Sequence, residues 1–86
     1  MDRRSSLEMC FDVLEVIDKG THKPSKIMFA TNLSYASRCR TLETLVNSDF
    51  IREEKRKKSK RYYITKKGKN ALLNRMKSLV GLLKAL

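Results

Sequence analysis

The chain is expected to fold as a single α+β unit, mostly α, in the order helix, helix, turn, helix, two-stranded hairpin, helix. Three observations lead there. Apolar residues recur at helical spacing over 5–20, 34–48 and 66–86. Two short β-prone runs, FIREE (50–54) and RYYIT (61–65), flank a basic stretch. The excess charge is confined to the last third of the sequence: residues 1–54 carry a net −1 and residues 55–86 a net +12.

The first helix is read from SSLEMCFDVLEVIDKG (5–20), with Ser5 or Ser6 as N-cap, Glu8 near the positive end and Gly20 at the stop. Leu7, Cys10, Phe11, Leu14 and Ile17 form one apolar stripe. Met9, Val13 and Val16 form a second, a surplus that suits contact with another subunit. Pro24 suits the first turn of a short second helix through Ile27, Met28, Phe29 and Ala30, because its missing N–H has no partner there in any helix. TNLS (31–34) reads as a turn, and Ser34 as the N-cap of a third helix to about Ser48.

On that third helix Tyr35, Cys39, Leu42, Leu45 and Val46 are assigned to the core, and Ser37, Arg40, Thr41 and Thr44 to the opposite side. If the two β runs pair, Tyr62 and Ile64 share one face, Arg61 and Tyr63 the other, and the basic run becomes the hairpin's tip. Tyr62 is expected in the core. Thr65 caps the last helix, in which Leu72, Met76, Leu79, Leu83 and Leu86 follow a 4-3-4-3 spacing. About twenty residues at 1.5 Å each span about 30 Å, longer than so small a core requires. The distal half is therefore expected to pair with a second copy.

At 86 residues, with 41% hydrophobic and 34% charged content, the chain suits one small folded unit better than a disordered segment. No apolar run approaches the ~20 residues of a membrane span, and MDRRSSLEMC lacks the apolar stretch of a secretory signal. An intracellular, nucleoid-associated location without membrane contact is expected. Cys10 and Cys39 lie far apart, outside any Cys/His cluster, and read as small buried apolar residues; no metal is expected. His22, alone in a polar loop, reads as an exposed residue. No spacing unites a nucleophile with a base, paired carboxylates, or a phosphate-cradling glycine loop, so an enzyme is not expected. No cofactor or small-molecule ligand is evident. The local excess of cations instead selects a polyanion as partner.

The segments NLSYASRCRTLETLVNSDFI and RYYITKKGKNAL resemble the pattern of small archaeal winged helix-turn-helix regulators. The resemblance rests on Asn32, Leu33, Ser34, Leu42, Leu45, Phe50, Ile51, Tyr62, Tyr63, Ile64, Thr65 and Gly68, and covers roughly residues 5–80. It implies double-stranded DNA binding, usually as a homodimer joined through the terminal helices, with the third helix in the major groove and the wing on the backbone or minor groove. Some relatives with a C-terminal antiparallel coiled coil look like general chromatin proteins. Two positions depart from the pattern: Asp49 stands where glycine is common, and Arg38 where an aliphatic residue is common. The boundaries implied are a winged helix-turn-helix domain over 1–65 and a helix over 66–86 that closes the core and forms the dimer coiled coil.

Base contacts are assigned to Ser37, Arg40, Thr41 and Thr44: short side chains let the helix backbone approach the groove, and the Arg40 fork matches guanine O6 and N7. Phosphate contacts are assigned to Ser34 at the helix N-terminus, to Arg38, and to the wing cations Lys55, Arg56, Lys57, Lys58, Lys60 and Arg61. The dimer interface is assigned to Met9, Val13, Val16, Leu72, Met76, Leu79, Leu83 and Leu86. Three functions compete: a homodimeric transcriptional regulator that reads sequence, an architectural chromatin protein that binds any duplex by charge, and an interaction module that recruits a transcription-machinery partner.

Overall fold

The computed structural model describes residues 5–85, with side chains for 5–77. Six elements follow in order: α1 (Ser6–Asp18), α2 (Pro24–Thr31), α3 (Tyr35–Asn47), β1 (Ile51–Arg56), β2 (Ser59–Ile64) and α4 (Lys66–Ala85). The boundaries are set by local chemistry. Ser5 caps α1 through its hydroxyl, which accepts from the Glu8 N–H at 3.1 Å, and Ser34 caps α3 by accepting from the Ser37 N–H at 3.2 Å. Pro24 opens α2, as expected.

Two helices end in paired backbone bonds that reverse the chain. After α1 the N–H groups of Gly20 and Thr21 reach the carbonyls of Ile17 and Val16, with Gly20 at φ 105°. After α3 the same pattern joins Asp49 to Val46 and Phe50 to Leu45. Asp49 sits at φ 63°, so the position where the resembling family favours glycine is left-handed here too.

β1 and β2 pair antiparallel from Ile51↔Ile64 to Arg56↔Ser59. The strands run further into the basic stretch than expected, and only Lys57 and Lys58 form the turn. A tight two-residue connection keeps Lys55 and Lys60 paired across the ladder, which the propensity of the flanking runs alone does not foretell.

The core unites Val13, Leu14, Ile17, Ile27, Leu33, Leu42, Leu45, Ile51 and Tyr62, so every element up to β2 contributes and Tyr62 lies in the core as expected. Burial corrects two assignments on α1. Leu7 is 66% exposed, outside the core stripe expected to hold it, and Val13 is fully buried in this chain's own core, so it cannot face a partner. Val13 is covered because α1 packs against α2, α3, β2 and α4 together, over more of its circumference than one stripe, whereas Leu7 lies in the first turn, ahead of the buried residues Val13, Leu14 and Ile17.

The junction between α3, the wing and α4 is built on Thr65 and Gly68. The Thr65 hydroxyl donates to the Asp49 carbonyl at 2.6 Å and accepts from the Gly68 N–H at 3.1 Å, capping α4. A Cβ on Gly68 would overlap the Phe50 carbonyl oxygen and crowd Ile64, so the close approach requires glycine. Lys67 donates to the Ser48 carbonyl at 2.9 Å, and Lys69 pairs with Asp18 at 3.0 Å. Two cations of the basic third are thus tied to α3 and α1.

Candidate nucleic-acid interface

α3 is turned about its axis relative to the face assigned from sequence. Thr41, Leu42 and Leu45 are its buried residues, whereas Tyr35 is 69% exposed and Cys39 is exposed. Two expectations are corrected. Thr41, expected at base edges, is only 6% exposed and faces α1, and Tyr35 and Cys39, expected in the core, are at the surface. The reason is geometric: at 100° per residue the buried set 41, 42, 45 is centred more than 100° from Cys39, whereas Tyr35 lies almost in line with Leu42 but in the first turn of α3, ahead of the buried residues. Cys10 is half-buried against the core, and that burial pushes its thiol pKa up.

Ser37, Arg40, Thr41 and Thr44 do lie together, around a hollow of about 130 Å³ that they share with Ser6, Met9 and Cys10 of α1. Of the four, Arg40 and Thr44 are exposed and Ser37 is partly so. The Thr44 hydroxyl donates back to the Arg40 carbonyl at 2.9 Å, which commits its proton within the helix. The outward face of α3 also presents Ala36, Glu43 and Asn47, which the sequence reading does not single out. Their signal is present: all three lie opposite the Leu42–Leu45 stripe.

Arg38 is neither in the core nor stretched into solvent. Its guanidinium lies over the Tyr35 ring at 4.8 Å, its Nη2 is 3.8 Å from Cys39 Sγ, and its Nε is buried without a hydrogen-bond partner among the described residues. Ser34, at the mouth of the same helix, is exposed, with its hydroxyl oxygen engaged by the Ser37 N–H.

The wing carries its cations in two electrostatic states. Arg56 pairs with Glu54 at 3.3 Å and touches the Tyr63 hydroxyl at 3.4 Å; Lys60 lies 4.0 Å from Glu53. Lys55, Lys57 and Lys58 are exposed and have no ion pair among the described residues. The Arg61 guanidinium folds onto the Lys60 carbonyl at 3.1 Å. Glu53 also accepts from the Tyr62 hydroxyl at 3.1 Å, and burial together with this carboxylate pushes the Tyr62 pKa up to about 12.

The root of the wing is held by His22, which from sequence reads as a free loop side chain. The His22 carbonyl accepts from the Tyr62 N–H at 3.0 Å, and the His22 Nδ1–H donates to the Tyr62 carbonyl at 2.8 Å, while its ring lies 4.4 Å from that of Tyr63. The loop between α1 and α2 therefore covers the outer edge of β2 at Tyr62, through one backbone carbonyl and one side chain. No local signal marks it, since the two residues are 40 apart.

Of the expected interface between copies, Met9 and Val16 are half-buried on α1, while on α4 Leu72 is half-buried and Met76 is 62% exposed. Leu73 and Met76 border a groove with Asp12, Glu15 and Asp18 of α1. Leu79, Leu83 and Leu86 lie outside the residues whose side chains are described. No helix among the described residues is long and apolar enough to cross a membrane.

Known proteins share this arrangement. Sso10a-2 of Sulfolobus solfataricus, a DNA-binding protein, superposes with a TM-score of 0.74 at 22% identity, covering 95% of this chain and 88% of that one. BpsR of Bordetella bronchiseptica, whose DNA binding is regulated by 6-hydroxynicotinic acid, gives 0.78 at 13% identity over 90% of this chain and 58% of its own. In sequence, the uncharacterized protein MJ0287 of Methanocaldococcus jannaschii is 31% identical over 55 residues, which is 64% of this chain and 57% of that relative's length. The winged helix-turn-helix family matches residues 3–84, and with α3 following its turn and β1–β2 as the wing, the chain belongs to that family.

Proposed function

We propose that this protein is a homodimeric transcriptional regulator of double-stranded DNA, with α3 in the major groove and the wing along the phosphate backbone. The observation that carries the reading is the pairing of an exposed α3 face, centred on Arg40, with a hydrogen-bonded hairpin whose tip cations Lys57 and Lys58 have no internal counter-charge among the described residues. A helix of about 10–12 Å diameter fits a major groove about 12 Å wide. Arg40 is the base reader in this arrangement, with Ser37 and Thr44 at its flank and Ala36, Glu43 and Asn47 presented beside it. Ser34 and the first N–H groups of α3 face a phosphate. Lys55, Lys57, Lys58 and Arg61 neutralise others, with Arg56 and Lys60 exchanging their internal carboxylates for phosphate.

The second copy is proposed to dock on the α1–α4 side, where Val16, Leu72 and Met76 supply apolar surface, continued by the distal residues of α4; Met9 instead borders the hollow beside Arg40. Two recognition helices then enter successive major grooves about 34 Å apart. Light scattering at micromolar concentration is expected to give the mass of a dimer, and Met76→Asp that of a monomer. A monomeric wild type would remove the dimer from the reading.

The direct test is selection from a random duplex library at physiological salt. Enrichment of a two-fold symmetric site, with one base position relaxed by Arg40→Ala, is the expected result. Retention without enrichment, together with a steep salt dependence, would instead make this a charge-driven architectural protein.

A further inference from the structure

Between α3 and the wing lies a cleft of about 450 Å³, within the size range of small-molecule sites. Its long wall is a ridge of residues four apart on α3: Arg38, then Leu42, then Val46. Pro24 of α2 adds to the apolar side and the Tyr62 ring reaches it from the wing. At 1.5 Å per residue the ridge is about 12 Å long. One end is a cation and the other two positions are aliphatic.

The cation is underserved. Arg38 is half-buried and its Nε lacks a hydrogen-bond partner among the described residues; a buried charged donor left unpaired is costly. The Tyr35 ring packs on the guanidinium at 4.8 Å, a π contact that supplies no in-plane acceptor for the N–H groups of the fork. Two carboxylates line the cleft as well. Glu53 is occupied by the Tyr62 hydroxyl at 3.1 Å and by Lys60 at 4.0 Å, and Glu43 is exposed. The fork of Arg38 is therefore the unsatisfied group, and its geometry matches a planar carboxylate bidentately.

The geometry points to a ligand site in this cleft for a small monocarboxylate with a linear apolar tail, its carboxylate on Arg38 and its chain along Leu42 and Val46. The site rests on the cleft alone and stands whether or not α3 reads DNA. A tail of about eight carbons matches the length of the ridge, and a neutral head would leave Arg38 unserved. Because Tyr35 and Arg38 belong to the first turns of α3, occupancy would change the surface that this helix presents.

The test uses the full chain, octanoate as the carboxylate and 1-octanol as its neutral counterpart, read by the NMR resonance of the Arg38 Nε–H. Octanoate is expected to shift that resonance saturably with a midpoint below about 1 mM, and octanol to leave it in place. In Arg38→Met, which keeps the apolar stem, the backbone amides of Leu42 and Val46 report the same titration with a midpoint raised at least tenfold. Arg38→Lys, which keeps the charge but loses the fork, is expected to weaken binding as well. No saturable shift, an equal response to octanol, or an unchanged midpoint in both variants would overturn the site. A shift of the Nε–H with duplex DNA but none with octanoate would also overturn it, and would assign Arg38 to a phosphate.

Discussion

Replacing Lys57 and Lys58 together by alanine removes the two cations of the wing turn without touching a strand pair or an ion pair among the described residues. Each phosphate neutralised by a lysine adds about −0.9 to the slope of log K against log salt. Removing two such lysines per chain thus flattens the slope by about 1.8, or about 3.6 in a dimer using both wings. Fluorescence anisotropy of a labelled duplex over a salt series measures that slope directly. The matched control is Lys19→Ala with Lys69→Ala, which removes equal charge from residues paired with Glu15 and Asp18 at 3.0 Å each. Those exposed pairs are worth at most about 1 kcal/mol each, so the control should stay folded. An unchanged slope in the wing variant would refute the reasoning, and so would an equal change in the control, since both would mean that overall charge and not the wing tip meets the phosphates.

Three further outcomes follow from the packing. Gly68→Ala should destabilise the fold by about 2 kcal/mol or more, measured by denaturant midpoint, because the new methyl meets the Phe50 carbonyl and not a yielding side chain. Asp49→Gly should stabilise by about 0.5 kcal/mol in the same assay, as relief of the left-handed strain at φ 63° outweighs the added freedom of the unfolded chain. Tyr62 is held protonated to about 12 in the folded state against an ordinary value of 10, so its contribution is complete below pH 10 and is lost as pH rises from 10 through 12. That loss, of order 2 kcal/mol, should appear in the denaturant midpoint of wild type as pH rises and be absent from Tyr62→Phe, which has no hydroxyl to ionise; the same pH dependence in both would refute it.

What is legible in the sequence is local. Ser34 and Thr65 announce their helices through side chains that bond three residues away, and Gly68 marks a close backbone approach. The order of elements follows from such signals. The face of α3 does not: Tyr35 and Cys39 continue an apolar stripe in the sequence, and only the packing of Thr41 against α1 shows which edge of the helix turns inward. Val13 is misplaced for a related reason, since nothing on α1 itself indicates that four other elements surround it. His22 is the hardest, because a hydrogen bond to a strand 40 residues on leaves no trace near it. In the candidate site the wing cations are recognisable by type, but their division into paired and free is not.

The clamp of His22 on Tyr62 has a consequence for how this protein behaves in concentrated solution. A two-stranded sheet has two open borders, and an open border offers its unpaired amides to any passing strand, the usual starting point of aggregation. Here the outward amide and carbonyl of Tyr62 are already taken, at the buried residue of β2. Further out, the strands are lined with lysines and arginines that repel a second wing. The hairpin is thereby guarded by occupancy at its root and by like charge at its tip, so its charged end can stay exposed without inviting another copy to extend the sheet.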